Sequence, residues 1–287
     1  MPASTKNVTA DLLRSWPLPR PGGSKYERGH VVVIGGSRRS PGAVVLAGVS
    51  ALRVGAGRLS LVLPSSVAPG VAVSVPESAV IELPETESGE MTGSALATLS
   101  EELGRASAVL IGPGIGDPAS ALAVLDGVAT LMPSDLPVVV DAFALGVLDR
   151  SRTAREAFAG RMVLTPNEEE VALLLGRDVD VLSRDIVELA SNLGAVVTCF
   201  GHVADGSGNN WHVTTASTGV GTSGSGDVLA GSIVGLLARG ASMEQAAVWG
   251  TWVHAESAAR LDVEIGAVGY LASEISAQLP RTLTGFS

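Results

Sequence analysis

Short runs of apolar residues alternate along the chain with longer stretches rich in alanine and leucine. The short runs are almost continuously apolar, which is typical of strands buried on both faces of a parallel sheet. They predict strands at His30 to Ile34, Leu59 to Leu63, Ser107 to Ile111, Pro137 to Val140, Met162 to Leu164 and Ala195 to Cys199. The stretches between predict helices at Pro41 to Val54, Pro118 to Leu131 and Val181 to Leu193. This alternation predicts an α/β fold with a doubly wound, mostly parallel sheet and helices on both faces.

The pattern changes toward both ends of the chain. Asp205-Gly206-Ser207-Gly208 lies between two short apolar runs and predicts a hairpin turn. Three helices are predicted after it, at Asp227 to Ala238, Met243 to Leu261 and Val268 to Leu279. Residues 1–27 are polar and proline-rich, so we expect a lead-in that packs on the surface of a single domain, residues 28–287.

Composition narrows the class of protein. A chain of 287 residues fills one α/β domain with a single core, although length alone also permits two smaller units. No apolar run approaches the roughly 18 positions that a membrane helix needs. The segment from Met1 to Asn7 has no cationic stretch followed by an apolar one, so it does not resemble a secretory signal. We therefore expect a soluble, cytoplasmic protein that does not associate with membranes.

Charge and metal-binding residue types exclude further classes. Cys199 is the single cysteine, and we expect it to be a buried small hydrophobe. The four histidines, at positions 30, 202, 212 and 254, lack the spacing of zinc ligands. The formal charge of −10 disfavours nucleic-acid binding, which needs clustered Lys and Arg. An anionic ligand would have to be held by backbone amides, helix ends, a metal ion or a few arginines.

The segment Gly224-Ser225-Gly226-Asp227 opens an apolar helix. Small residues at a helix start let free N–H groups approach an anion, and the helix dipole adds partial positive charge there. The structural alternative is that Asp227 only caps the helix. The position favours a phosphate site, because residues 218–226 are almost free of bulky side chains. Asp227 could then accept the proton of an attacking hydroxyl group.

Other candidate groups follow predicted strands. Glycine-rich loops lie at Ile34 to Ser37 and at Ile111 to Asp117, and ligands of open α/β sheets bind at such strand ends. Neither loop has the Rossmann or P-loop spacing, and a turn-only role remains open for both. Asp141 and the segment Thr165 to Glu170 are candidates for holding Mg²⁺ and its waters beside a polyphosphate. Asn167 could equally cap the next helix.

In their order and spacing, these motifs resemble the NAD(P)H-hydrate dehydratase family that uses ADP or ATP, a branch of the ribokinase-like superfamily. The resemblance runs from about Lys25 to the C-terminal helix. It implies a ribokinase-like fold with no separate lid domain. Its most specific segments are Arg28 to Ser37, Gly42 to Ala47, Ala51 to Gly57, Gly112 to Gly116 and Gly224 to Gly231.

The resemblance also implies a repair reaction and its residues. The hydroxyl of hydrated NADH or NADPH is phosphorylated by ADP or ATP, and phosphate then leaves. Asp227 is implied as the catalytic base. Mg²⁺ is expected as the cofactor, held through water by Asn167 and Glu170, whose spacing resembles that of ribokinase-like kinases. A homo-oligomer such as a tetramer is implied too. The implied substrate contacts are Ala43, Gly114, Gly116, Asn167 and Asp227, and the implied nucleotide-phosphate contacts are Gly201, Gly224, Ser225 and Gly226.

Three departures from the family pattern keep other functions open. Phe200 stands where the family tends to have a lysine, and Phe143 stands where it usually has an aspartate. Asn167 to Glu170 replaces His-Pro-Gly-Glu and resembles the Asn-x-x-Glu pattern of ribokinase-like kinases. The alternatives are a kinase of a vitamin precursor or sugar-like metabolite, and a non-catalytic nucleotide-binding paralogue. Fold does not separate these alternatives.

Overall fold

The computed structural model describes residues 5–214 and 217–286. Ten strands form one central sheet in the order β1-β10-β9-β8-β7-β6-β5-β2-β3-β4. They are β1 (Lys6–Asn7), β2 (His30–Ile34), β3 (Arg58–Pro64), β4 (Ala79–Leu83), β5 (Ala108–Ile111), β6 (Val138–Val140), β7 (Met162–Leu164), β8 (Ala195–Cys199), β9 (His202–Ala204) and β10 (Asn210–His212). All six predicted strands are confirmed within a residue or two.

Seven neighbouring strands, from β4 to β8, are parallel. β9 pairs antiparallel with β8, and β10 pairs antiparallel with β9 to form the predicted hairpin. The fold class is therefore the mostly parallel α/β sheet that the sequence predicts. Two edge strands, β1 and β4, are not predicted by the apolar pattern. Both are partly or wholly exposed, so they lack the continuous apolar signal of a buried strand.

Twelve α-helices are described in this part of the chain. They are α1 (Ala10–Ser15), α2 (Gly42–Arg53), α3 (Ala68–Ser74), α4 (Ser100–Arg105), α5 (Pro118–Leu131), α6 (Leu145–Leu148), α7 (Arg152–Phe158), α8 (Glu168–Leu175), α9 (Leu182–Leu193), α10 (Ser225–Ala238), α11 (Met243–Glu264) and α12 (Ala272–Thr284). The predicted start of the last helix at Val268 is wrong. Gly266 and Gly269 both have positive φ angles, which a helix does not accommodate, so α12 begins at Ala272.

The sheet separates two apolar cores. Val31 and Val33 of β2 face a core that includes residues of α2, α10, α11 and α12. Val32 and Ile34, the alternate positions, face a second core with residues of α4 to α9. This arrangement explains the continuous apolar runs, because successive side chains of each strand enter opposite cores. Among the described residues, no helix has the length and apolarity needed to cross a membrane.

Helices α2 and α10 pack closely, which brings their N-terminal ends side by side. A Cβ atom on Gly231 of α10 would lie 2.1 Å from the carbonyl oxygen of Ala47, and one on Gly235 would lie 2.6 Å from that of Ala51. Only glycine permits this approach of the two backbones. The packing places the start of α2, with Ala43, beside the start of α10.

The N-terminal segment is integrated into the fold more deeply than a surface lead-in. Leu13 of α1 is fully buried, and the ring of Trp16 stacks on that of Trp211 at 5.9 Å between centroids. The indole N–H of Trp249 donates to the carbonyl of Trp16 at 2.9 Å. Trp249 is 1% exposed, so it belongs to the core.

Candidate active site

The carboxyl ends of the parallel strands and the start of α10 meet at one edge of the sheet. The amide of Gly36, after β2, donates to the carbonyl of Pro113, after β5, at 2.6 Å. Next along the sheet, the Thr165 hydroxyl, after β7, donates to the carboxyl of Asp141, after β6. Loops from four neighbouring strands thus form one surface, where ligands of open α/β sheets bind.

Gly114 and Ala43 are brought together at this edge. Gly114 has a φ of +73°, and a Cβ atom there would lie 2.4 Å from the Ser40 carbonyl oxygen and 3.0 Å from the Cβ of Ala43. Gly36 is also within 3.1 Å of that position. The small residues of the two glycine-rich loops therefore pack closely together and form a surface, here called the glycine floor, at this edge of the sheet.

The backbone amide of Gly116 already has a hydrogen-bond partner within the protein. Its amide donates to the carboxylate of Glu90 at 3.1 Å, and a Cβ atom there would lie 2.7 Å from the same side chain. Glu90 is 9% exposed. Sequence reasoning missed this glutamate, since no local pattern links it to a loop 26 residues further on. Gly116 is nevertheless exposed and Gly114 is half-buried, so both stay predicted ligand contacts.

The start of α10 presents free backbone donors. Gly224 is the N-cap residue, with a φ of +86°, and the Ser225 amide donates to the Thr222 carbonyl at 3.1 Å. In the described part of the chain, the amides of Gly226 and Asp227 have no acceptor. A Cβ atom on Gly226 would meet nothing within 4 Å. Anion binding at this helix start therefore depends on the Gly226 and Asp227 amides, and Ser225 contributes only its side chain.

Asp227 is the third residue of α10, and its side chain makes no capping hydrogen bond. It is half-buried, and burial raises its pKa to about 6. At neutral pH the carboxylate is mostly ionised. Its pKa is close enough to neutral pH for the group to accept a proton during a reaction. The structural alternative of a helix cap therefore does not account for Asp227.

A cleft of about 280 Å³ opens beside the helix start. Of the residues predicted to bind ligands, Asn167, Gly201, Ser225 and Gly226 line it. Ala43, Gly114, Gly116, Gly224, Glu170 and Asp227 are not part of its lining. The remaining lining residues are Thr165, Pro166, Thr198, Cys199, Phe200, Val220, Gly221, Thr222, Leu229, Thr251, His254 and Ala255. The predicted ligand contacts outside the cleft thus include Asp227 and two residues of the glycine floor, Ala43 and Gly114.

Two lining residues from the end of β8 differ in character. Cys199 is 2% exposed, as expected of a small hydrophobe, and burial raises the pKa of its thiol to about 12, so it is not a nucleophile. Phe200 is 66% exposed and has a φ of +44°. A non-glycine residue in this left-handed region costs of order 1–3 kcal/mol, and such residues cluster at functional sites.

Asp141 is the most perturbed carboxyl group at this edge. It is 5% exposed, and burial raises its pKa to about 8, which the negative charges of Asp227 and Glu170 reinforce. The Thr165 hydroxyl donates a hydrogen bond to the carboxyl group of Asp141, which opposes this rise in pKa. Asp141 is therefore largely protonated at neutral pH. It adds little negative charge to a site built for anions.

The raised pKa of Asp141 makes stability depend on pH. An acid whose pKa is raised in the folded state favours folding below its unfolded value of 3.8, and that contribution is lost as pH rises toward about 8. Asp141→Asn keeps an acceptor for Thr165 but does not ionise. Between about pH 5 and about pH 8, the unfolding free energy of the native protein should fall more than that of the variant, by on the order of 3–4 kcal/mol. Urea titrations of both proteins at each pH measure this difference, and parallel curves would contradict it.

Asn167 and Glu170 form a capping box at the start of α8. The Asn167 side chain accepts from the Glu170 amide at 2.9 Å, and the Glu170 carboxylate accepts from the Asn167 amide at 2.9 Å. Within residues 5–214 and 217–286, no group of three or more His, Cys, Asp or Glu side chains could hold a metal ion. These residues therefore offer no dedicated metal cage. One or two carboxylates beside a polyphosphate still suit Mg²⁺, which keeps most of its water shell.

The sequence of this chain is similar to a family model and to the sequences of known proteins. A family model described as NAD(P)H-hydrate dehydratase matches residues 31–281. The ADP-dependent (S)-NAD(P)H-hydrate dehydratase of Xanthomonas campestris is 40% identical over 285 residues, covering 97% of this chain and 96% of that protein. The bifunctional NAD(P)H-hydrate repair enzyme of Moorella thermoacetica is 34% identical over 96% of this chain. The chain spans about half the length of that relative, 53%.

A solved structure extends the comparison to three dimensions. The ADP/ATP-dependent NAD(P)H-hydrate dehydratase of Bacillus subtilis, co-crystallised with ATP and Mg²⁺, superposes with a TM-score of 0.79. It is 26% identical, and the match covers 99% of each chain. A ribokinase-like protein of Enterococcus faecalis matches with a TM-score of 0.80 at 21% identity, covering 99% of this chain and 96% of that one. The fold is therefore ribokinase-like.

Proposed function

The chain belongs to the NAD(P)H-hydrate dehydratase family, and we propose that it uses ADP or ATP to convert hydrated NADH and NADPH back to the reduced dinucleotides. One observation of the site carries this proposal. The free amides of Gly226 and Asp227 lie at a helix start, beside a half-buried carboxylate whose pKa is raised to about 6. Such a site can hold a phosphoryl group and accept a proton from the hydroxyl that attacks it.

The helix start binds the transferring phosphoryl group. The amides of Gly226 and Asp227 donate to its oxygens, and the dipole of α10 favours their negative charge. Gly226 has no side chain to obstruct this approach, and the space around it is open. The remainder of the nucleotide occupies the cleft, where Gly201 and Ser225 are further contacts. This assignment suits a chain of net charge −10, because it requires no broad positive surface.

Asp227 removes the proton from the hydroxyl of the hydrated nicotinamide. The hydroxyl oxygen forms a bond to phosphorus, the bond to the leaving AMP or ADP breaks, and the proton passes to the Asp227 carboxylate. Phosphate is then the leaving group from the nicotinamide ring. Its C–O bond breaks, and loss of a proton from the neighbouring ring carbon restores the double bond. Phosphorylation thus converts a poor leaving group into a good one.

The hydrated dinucleotide lies over the glycine floor. Ala43 and Gly114 contact it from the loops after β2 and β5, with Asn167 at the edge of the cleft. The close packing of Gly36, Ala43 and Gly114 supports this assignment, since it brings the two glycine-rich loops together at one surface. A base shared by both reactants must reach the cleft and the glycine floor, and we assign that position to Asp227.

We propose that Mg²⁺ binds together with the nucleotide. Asn167 and Glu170 would hold its waters, and the ion would supply positive charge to the polyphosphate during transfer. Both side chains already bond to backbone amides in the capping box, which supports an indirect role through water. Homo-oligomeric assembly, with a tetramer as the example, stays a prediction from the family resemblance. Light scattering on the purified protein tests it.

A turnover assay tests the proposed function. The protein is incubated with Mg²⁺, ADP or ATP, and hydrated NADH or NADPH, and the absorbance of reduced nicotinamide is followed. We expect recovery that requires both nucleotide and protein. Absence of recovery, together with thermal stabilisation by ADP, would instead identify a non-catalytic nucleotide-binding protein.

Phe200 provides a separate test of the cleft. Since it lines the cleft in a chain that lacks the family's lysine at this position, Phe200→Lys is expected to lower the Kd for ADP by roughly three- to tenfold. The gain should vanish in about 1 M salt, where the Debye length is near 3 Å. Calorimetric titrations at low and high salt measure both effects. Unchanged affinity at low salt would show that the nucleotide phosphates do not pass this side of the cleft.

A further inference from the structure

A buried histidine lies in the wall of the cleft, next to the first residue of α10. His254 of α11 is 8% exposed, and its Nε2 is 2.9 Å from the Oγ of Ser225. Ser225 is itself 5% exposed. The hydrogen bond fixes the ring against the helix start whose neighbouring amides, those of Gly226 and Asp227, are free.

The second ring nitrogen of His254 is left for another partner. In the described part of the chain, Nδ1 makes no side-chain hydrogen bond. It is also not among the fully buried polar atoms that lack a partner, which include Nδ1 of His30. A buried imidazole with one nitrogen fixed and the other unpaired at a cleft wall is suited to contacting a ligand.

The ring is uncharged at neutral pH. Burial lowers the pKa of His254 to about 4. A neutral imidazole carries one donor and one acceptor, so it binds hydroxyl groups and phosphate oxygens without adding a charge. The ring therefore recognises a ligand through hydrogen bonds and not through charge.

The position of the ring indicates which part of the nucleotide it meets. The phosphate end of the cleft is at Gly226, whereas Val220, Leu229 and Ala255 provide apolar wall suited to a base. His254 is bonded to Ser225, one residue before Gly226, so its ring lies next to the phosphate end. In a nucleoside diphosphate, the group between the terminal phosphate and the base is the ribose with its attached phosphate.

We propose that His254 is a nucleotide-binding residue, held by Ser225 at Nε2 so that Nδ1 hydrogen-bonds the ribose–phosphate part of ADP or ATP. This inference rests on the proposed function, because it requires the cleft to be the nucleotide site. The competing explanation is structural. In that case the Ser225–His254 bond only joins α10 to α11, and no ring atom contacts a ligand.

Nuclear magnetic resonance separates the two explanations on the native protein, and a variant is needed only to assign the signal. The chain has four histidines, and His254 is identified by the signal lost in a His254→Gln variant. On titration with ADP, we expect the Nδ1 resonance of His254 to shift and that of His30 to stay unchanged. A His254 resonance that does not move when ADP saturates the protein would overturn the proposal.

Variants give the second measurement, with a matched control. His254→Phe keeps the ring volume but removes both nitrogens, so the Kd for ADP should rise roughly tenfold. His254→Gln, which retains a side-chain hydrogen-bonding group, should recover part of that loss. The control is His30→Phe, because the Nε2 of His30 also lies 2.9 Å from a serine, Ser60, but His30 is outside the cleft. This control should leave the Kd for ADP unchanged.

Each outcome has one meaning. If the native protein does not bind ADP at all, the proposed function and this inference fail together. If it binds ADP and restores NADH, but His254→Phe has the native Kd for ADP, the function stands and this inference alone fails. If His254→Phe does not fold, the native resonance shift decides.

Discussion

Asp227→Asn is expected to reduce turnover by about 10³-fold while changing the Kd for ADP by less than about threefold. The amide side chain has the shape of the carboxylate but cannot accept the hydroxyl proton. The backbone amides that bind phosphate are unaffected, because the Asp227 side chain makes no capping bond and α10 does not depend on it. Steady-state rates of NADH recovery and calorimetric ADP titrations measure the two quantities.

The control for this variant is Glu82→Gln. It makes the same change of charge on the exposed edge strand β4, away from the cleft. We expect native turnover from it, within experimental error. Turnover of Asp227→Asn near the native rate would exclude Asp227 as the base. Loss of ADP binding together with turnover would show that its charge serves the nucleotide site instead.

Gly226→Val is expected to raise the Kd for ADP at least tenfold with little loss of folding stability. The space around a Cβ atom at Gly226 is open, so the protein itself accommodates the side chain. The valine would occupy the region in which phosphate oxygens approach the free amides of α10. Calorimetry with ADP and thermal unfolding without ligand measure the two effects.

A matched control makes the same substitution outside the cleft. Gly104 lies in α4, and a Cβ atom there also meets nothing within 4 Å. Gly104→Val should therefore leave ADP binding unchanged, with a similar small effect on stability. Gly231→Val gives the opposite pattern, because its side chain would collide with the Ala47 carbonyl of α2. Native ADP affinity in Gly226→Val would place the phosphate elsewhere.

Most of the fold was predictable because its central strands are buried on both faces. β2 alternates between the two cores at every residue, and this burial produces the continuous apolar run that marks it. The edge strand β4 was not predictable in this way, since it is largely exposed. The same limit applies to β1, two exposed residues whose pairing with β10 is a contact distant in sequence.

The site was predictable where its chemistry is local. Glycines and an aspartate at a helix start indicate an anion site in the sequence, and the structure places free amides there. The use of the Ser225 amide by Thr222 was not predictable, because it depends on the fold of the preceding turn. Glu90 and His254 reach the site through contacts between distant segments, so no local spacing reveals them.

The departures from the family pattern have different structural meanings. Asn167 and Glu170 have a complete structural role in the capping box, so they are weak support for a kinase. Phe143 is 40% exposed after β6 and Phe200 is 66% exposed at the cleft. Neither ring fills the helix start, because the space at Gly226 is open. The substitutions therefore leave the proposed phosphate site intact.

Product stoichiometry tests the central claim most directly. The protein is mixed with ADP, Mg²⁺ and hydrated NADH, and NADH, AMP and inorganic phosphate are quantified in the same sample. We expect one AMP and one phosphate for each NADH recovered, with all three products formed about 10³-fold more slowly by Asp227→Asn. Accumulation of a phosphorylated dinucleotide without NADH, or AMP release that is independent of the hydrate, would contradict the account.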